Sequence, residues 1–316
     1  MGRRRRSTVH GVLVVDKPRG PTSHDLVSRG RRAFGTRSVG HAGTLDPMAT
    51  GVLVLGVGEG TKLLRWMTAD DKAYTATVRL GEETDTLDAE GAVTARAPVG
   101  DITLASAREV ARAFVGTFEQ TPPIYSALKQ GGESLHAKAR RGEAVEVPTR
   151  EVTVHDLSID AVRPDSLDLS VSSAKGFYVR SLGRDLALAL STRGHLVALR
   201  RTRSGPFTLD DAVDGACLAA AAAGDDEARA TVHGALMSLT EACRSMPRLD
   251  VTERGANDAR HGRPVALSDV QPTSVDLDSP MSGPIALVGP DGALIAVAEK
   301  RDAHLRVLRG IRTSEE

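Results

Sequence analysis

Aromatic side chains make up only 3% of this 316-residue chain: five Phe, one Trp and three Tyr, at positions 74, 125 and 178. So sparse a set provides little generic aromatic core, which makes the setting of each tyrosine informative. Cysteine is nearly as scarce. Cys217 and Cys243 are far apart and outside any C-x-x-C spacing, which argues against a disulfide framework or a structural zinc site and fits a reducing compartment. No apolar run approaches the roughly 18–20 residues that cross a bilayer. Arg3–Arg6 followed by Gly11–Val15 has the order of a signal peptide, but Asp16-Lys17-Pro18 cuts the apolar run short. The expectation is a disordered basic tail over residues 1–9, then a β-strand, in a cytoplasmic protein.

Other absences narrow the chemistry. Gly56-Val57-Gly58-Glu59-Gly60-Thr61-Lys62 has neither the order of a Walker A loop nor the G-x-G-x-x-G spacing, and reads as a plain strand-to-helix turn. H-E-x-x-H and G-x-S-x-G do not occur. Carboxylate chemistry is left, with no cofactor and no metal expected.

Net charge is also absent, with 41 Lys+Arg against 41 Asp+Glu. The balance hides an uneven distribution. Residues 1–66 hold 12 basic and 4 acidic residues, whereas residues 211–316 hold 11 and 17. A polyanion responds to local charge, so neutrality does not exclude a nucleic-acid partner.

The periodicity predicts strands over Gly11–Asp16, Val52–Leu55, Leu167–Ser173 and Leu196–Arg201. Ala73–Leu80 alternates cleanly, with Tyr74, Ala76, Val78 and Leu80 on one side. Pro122–Leu128 and Val145–Ile159 read as extended. Helices are predicted after Thr22-Ser23, over Thr61–Met67, over Leu104–Phe114 after Thr103, over Val179–Leu190, and over Leu209–Ala223. Gly81–Gly91, acidic and bounded by glycines, reads as a loop. The mixture lacks βαβ regularity, so the class is α+β. A boundary near Ser245-Met246-Pro247 leaves about 70 residues for a small β-domain. There Gly289-Pro290-Asp291-Gly292 marks a hairpin, Glu253–His261 a short helix, and residues 266–284 a loop.

The densest local feature is Gly40-His41-Ala42-Gly43-Thr44-Leu45-Asp46-Pro47-Met48-Ala49-Thr50-Gly51. Three glycines and a proline bracket one Asp and one His. This stretch resembles the active-site motif of the TruB family of tRNA pseudouridine synthases. Val14–Gly20, Lys72-Ala73-Tyr74 with Thr84-Asp85-Thr86, Pro122–Lys129, Lys175–Leu182, and Leu199-Arg200-Arg201 with Ser204–Phe207 are similar to further motifs of that family, in its order. All three tyrosines fall inside them.

The resemblance implies a pseudouridine synthase fold, with a central mixed or antiparallel sheet flanked by helices. It implies a catalytic domain over residues 10–245 and a PUA-like RNA-binding domain over 246–316. The implied reaction converts the uridine at position 55 of the TΨC loop of tRNA to pseudouridine on a flipped-out base. It requires no cofactor, no guide RNA and no membrane, and the expected state is a monomer. Asp46 is the implied catalytic carboxylate, acting as nucleophile or as base, with Arg180 as its cationic partner. Tyr74 would stack on the uracil, Tyr178 would pack beneath the site, and Leu199 would wall the pocket. His41 would fill the space vacated by the base. Lys17, Lys129 and Lys175 would contact phosphates or the rim. Arg29, Arg31 and Arg32 on one helix would add contacts to the RNA backbone. Three rival readings are a guide-RNA-dependent pseudouridine synthase, a non-catalytic tRNA chaperone, whose role is compatible with catalysis, and a base-excising glycosylase, which the ordered motifs disfavour.

Overall fold

The structure, a computed structural model, describes residues 8–125, 129–130, 133–134, 141, 147–272, 281 and 283–313. The basic tail, Ser126–Leu128 of the third motif, and most of the 273–282 stretch lie outside the described residues.

From the N-terminus the elements are β1 (Gly11–Lys17), α1 (Ser23–Ala33), β2 (Val39–Ala42), β3 (Thr50–Val57), α2 (Leu64–Ala69), β4 (Lys72–Leu80), β5 (Glu82–Thr84), β6 (Val93–Arg96), α3 (Leu104–Arg112) and β7 (Gly116–Gln120). The short β8 (Lys129–Gln130) and β9 (Glu133–Ser134) pair with each other. Then come β10 (Arg150–Arg163), β11 (Ser166–Ser173), α4 (Val179–Ala189), β12 (Gly194–Ser204), β13 (Phe207–Thr208) and β14 (Ala212–Asp214). Three helices follow: α5 (Gly215–Ala223), α6 (Asp226–Gly234) and α7 (Leu239–Ala242). The C-terminal part has β15 (Arg248–Asp250), α8 (Glu253–Arg260), β16 (Val265–Ala266), β17 (Ile285–Val288), β18 (Leu294–Arg301) and β19 (His304–Gly310).

The chain forms two compact units. One takes Asp46–Gly51 and Ala69–Ser204; the other takes Met1–Leu45, Val52–Thr68 and Gly205–Glu316. In the first, an antiparallel sheet runs β7-β10-β11-β4-β12, and Thr50-Gly51 at the start of β3 pairs in parallel with Arg200-Arg201 of β12. β4 is central. Its alternation buries Ala76, Val78 and Leu80 on one face while Thr75 and Arg79 stay exposed, as a strand covered on one side requires. Helices α3 and α4 pack on this sheet.

In the second unit, β1 lies between β14 and β3, and β2 adds antiparallel to β3. Val12, Val14, Val52 and Val54 share a core with Phe207, Leu239, Ala286, Leu294, Val297 and Ile311. A five-stranded sheet, β15-β17-β18-β19-β16, has a further core of its own around Leu249, Ala256, Leu287, Ile295 and Leu305. Its β17–β18 hairpin turns at Gly289–Gly292, as the Asp-Gly signal predicts.

Two predicted elements differ. Gly81–Gly91 is not a loop throughout, since Glu82–Thr84 pairs with Val93–Arg96. The turn between them is closed by Asp85, whose N–H donates to the Ala92 carbonyl and whose Oδ1 accepts from the Ala92 N–H. The predicted helix Leu209–Ala223 begins only at Gly215. Residues 212–214 pair in parallel with Val14–Asp16, and Asp214 then caps the helix through the Ala216 N–H.

Candidate active site

Asp46 is fixed from both sides. Thr22 forms a capping box with Asp25, which sets the start of α1 and therefore the position of Ser23. The buried Ser23 hydroxyl donates to the Leu45 carbonyl (3.0 Å) and accepts from the Leu45 N–H (2.8 Å). The residue immediately before Asp46 is thus held through both of its backbone polar groups. Asp46 opens a β-turn that the Ala49 N–H closes onto the Asp46 carbonyl at 3.1 Å, with Pro47 in the second position, which its fixed φ suits. Gly51 ends the loop at φ 99°, and a Cβ there would collide with the Arg201 carbonyl. Only glycine meets both conditions.

Arg180, the second residue of α4, is buried, yet its guanidinium faces Asp46. Nε lies 2.9 Å from Asp46 Oδ2, and Nη2 donates to Oδ1 at 3.2 Å. The two planar groups therefore meet fork to fork, the geometry that only arginine offers. The remaining donors are also engaged. Nη1 donates to the Thr86 carbonyl (2.8 Å) and lies 3.5 Å from Asp88 Oδ2, while Nη2 donates to the Tyr125 carbonyl (2.9 Å). Asp88 is itself held by the Thr86 hydroxyl (2.6 Å) and the Glu90 N–H (3.0 Å). A buried guanidinium requires this degree of pairing.

The exposures are unequal. The Arg180 side chain is 6% exposed and Asp88 5%, but Asp46 is 32% exposed. One carboxylate is sealed behind the arginine and the other opens to solvent. An accessible anion backed by a fixed cation suits attack on an electron-poor carbon, or removal of a proton.

Of the other predicted residues, Tyr74 sits half-buried on β4 opposite Arg201 and Val171. Leu199, buried on β12, pairs with Ala76 and so shares the face of Tyr74. Tyr178 is the residue from which α4 starts, and the Arg150 guanidinium lies 5.3 Å from its ring centroid. Lys175 is exposed in the preceding turn. His41 lies on β2 opposite Leu55, in the other unit. Lys17 departs from expectation. It has no exposed surface and its ammonium donates to the Pro18 carbonyl (3.1 Å), which makes it a core cation rather than a surface phosphate contact. The side chain of Lys129 lies outside the described residues.

The sequence reading missed Ser23 as a clamp, Asp88 as the second carboxylate on Arg180, and Gln120. Asp88 stands two residues after the quoted Thr84-Asp85-Thr86, the only signal that could have found it. Lys72 belongs to the same motif as Tyr74 but has no role assigned from sequence. It is buried on the face of Tyr74, and desolvation, reinforced by Arg201 and opposed by Asp70 and Asp71, pulls its ammonium down to about 8.

Among solved structures, the fold is similar to a chain of a Cbf5-Nop10-Gar1 complex, with a TM-score of 0.73 and 22% identity, covering 96% of this chain and 85% of that one. A chain of the archaeal box H/ACA sRNP Nop10-Cbf5 complex gives 0.71 and 21%, covering 98% and 87%. The architecture is the pseudouridine synthase fold, α+β, with a C-terminal β-sheet region. Residues 31–179 match the model of the TruB family pseudouridylate synthase N-terminal domain. Residues 180–243 match the tRNA pseudouridylate synthase B C-terminal domain, and residues 246–312 match the tRNA pseudouridine synthase II C-terminal model. The tRNA pseudouridine synthase B of Thermobifida fusca is 44% identical over 302 residues, 92% of this chain and 94% of the relative. That of Corynebacterium aurimucosum is 46% identical over 301 residues, 93% and 94%. That of Syntrophotalea carbinolica is 41% identical over 302 residues, 96% and 95%. The chain belongs to the TruB family of pseudouridylate synthases and is an isomerase.

Proposed function

We propose that this enzyme isomerises the uridine at position 55 in the TΨC loop of tRNA, as a monomer and without a guide RNA. The observation that carries this reading is the half-open Asp46 carboxylate gripped by the buried Arg180 fork. Relatives along nearly the whole chain, each called tRNA pseudouridine synthase B, support tRNA as the substrate.

The reaction breaks the N1–C1′ bond, rotates the uracil, joins C5 to C1′, and exchanges the C5 proton for one on N1. Asp46 supplies the carboxylate that starts it, as nucleophile or as base, and Arg180 holds and aims that carboxylate. Tyr74 stacks on the extruded uracil, an interaction of about 1–3 kcal/mol per base. Leu199, on the same sheet face, forms an apolar wall. Tyr178 supports Arg180 from the preceding turn. His41 fills the gap left in the RNA, and Lys129 and Lys175 contact its backbone.

Residues 10–245 then form the catalytic domain, and residues 246–316 a PUA-like RNA-binding domain, in which Arg306 and Arg309 are exposed on β19. Together, Arg306→Glu and Arg309→Glu should weaken tRNA binding without changing the rate at saturation. A tRNA-folding role would survive loss of the catalytic carboxylate.

The test uses purified protein and tRNA transcript labelled with tritium at C5 of uridine. Tritium release without added guide RNA is expected, from full tRNA and from the isolated T stem-loop. Release that required a guide RNA, or that left position 55 unmodified, would overturn the proposal.

A further inference from the structure

The Arg180 fork is useful only if the first turn of α4 stands at the correct height. That turn begins at Tyr178, which contributes no side-chain cap to its own helix. The hold comes instead from Gln120, the last residue of β7, which is 1% exposed. Its Nε2 donates to the Tyr178 carbonyl (3.1 Å), and its Oε1 accepts from the Tyr178 N–H (2.9 Å). One side chain thus grips both backbone polar groups of the residue two positions before Arg180. A carboxamide carries its donor and its acceptor on separate atoms and stays uncharged at every pH of interest, which suits this two-point contact.

The same strand end makes further contacts. The Ser181 hydroxyl donates to the carbonyl of Thr121, the next residue after Gln120, at 2.8 Å. Arg150, the register partner of Gln120 across β7 and β10, is the residue whose guanidinium covers the Tyr178 ring. The far edge of the sheet therefore reaches the first turn of α4 through this junction.

We infer that Gln120 is a positioning residue for the isomerisation: its two-point grip on Tyr178 sets where Arg180 meets Asp46. This rests on the reading of Asp46 and Arg180 as the reacting pair. Gln120 touches neither substrate nor reacting atoms, so its loss falls on the chemical step and not on tRNA affinity.

Gln120→Glu keeps the shape. When protonated, the introduced carboxyl donates to the Tyr178 carbonyl and accepts from its N–H, so the grip is restored. When ionised, it only accepts and repels the carbonyl. Gln120→Leu removes both bonds at every pH. Single-turnover tritium release at saturating tRNA is measured across about pH 5.5 to 8.5, a range that covers a Glu carboxyl raised by burial. Each rate is divided by the wild-type rate at the same pH, and tRNA affinity is measured in parallel.

The expected ratio for Gln120→Glu is close to wild type at the acid end and about ten- to a hundredfold lower at the alkaline end. Gln120→Leu should be low throughout, without that trend, and tRNA affinity should be unchanged in both. A Gln120→Glu ratio flat with pH, a wild-type rate in Gln120→Leu, or a loss confined to affinity would overturn the inference. If Gln120→Leu fails to fold, the pH trend of Gln120→Glu decides alone. Arg180→Lys and Asp46→Asn run alongside. Full rates in those two would remove the site reading itself, whereas their loss beside a flat Gln120→Glu ratio would remove only the role of Gln120.

Discussion

Two glycine-rich segments of this chain look alike in sequence and differ in how their charges are held. In Gly56–Lys62, the polar groups are closed on one another and on His10, Gly310 and Arg312. Glu59 and Lys62 form an ion pair, the Glu59 N–H donates to His10 Nδ1 (3.1 Å), the Arg312 N–H donates to Glu59 Oε2 (2.7 Å), and the Lys62 ammonium donates to the Gly310 carbonyl (3.0 Å). Its two charges are similarly exposed, Lys62 at 22% and Glu59 at 19%. In Gly40–Gly51, the acid is paired across 134 positions of sequence with an arginine that is almost fully buried, while the acid itself stays open. Glycine content and a nearby charge do not distinguish a site from a turn. What separates the two segments in the structure is a sealed cation behind an open carboxylate.

That contrast predicts a separation between activity and stability. The largest effect belongs to Arg180→Lys, because a single ammonium cannot span both Asp46 oxygens, Asp88 and two carbonyls. The single-turnover rate should fall by about a hundredfold or more, with tRNA affinity retained. In the other segment, a Cβ at Gly60 would run into the Gly11 carbonyl. Gly60→Ala should therefore cost roughly 2–3 kcal/mol in urea unfolding while leaving the rate per folded molecule unchanged. Ser23→Ala lies between the two, since it removes both bonds to Leu45 but no reacting group. A stability loss of about 1–2 kcal/mol with a smaller fall in rate is expected.

A further effect, on stability alone, concerns a buried charge without a fork. Burial lowers the Lys72 amine from 10.5 to about 8. Between those two values the unfolded chain binds more protons at this residue than the folded one, so its contribution to stability rises with pH across that window. Wild type should gain on Lys72→Met from about pH 8 to pH 10.5. A difference flat in pH would show that burial does not shift the amine.

Much of the fold can be read locally, because local rules produce it. The alternation of β4, the Thr22 cap of α1, and the Asp-Gly hairpin of β17–β18 all follow from neighbouring residues. Failures occur where distant partners decide. Residues 212–214 continue a helical pattern but are drawn into a strand by β1. β5 has three residues, too few to show a period. Lys17 looks like a surface cation at a strand end, yet β1 is flanked by strands on both sides and buried along most of its length. At the site, the pairing of Asp46 with Arg180 follows from the resemblance to a family and not from any local pattern. The carboxylate of Asp88 behind them is signalled only by its nearness to Thr84-Asp85-Thr86, and the amide of Gln120 beneath them leaves no local trace, since a lone Gln before Thr121-Pro122-Pro123 reads as ordinary surface.

On the proposed function, an open Asp46, aimed by a closed Arg180, carries the chemistry. Asp46→Asn preserves shape and removes the charge. In single-turnover reactions with C5-tritiated tRNA, tritium release should fall by more than about a thousandfold, with tRNA binding retained. Release at the wild-type rate from Asp46→Asn would contradict the proposed function.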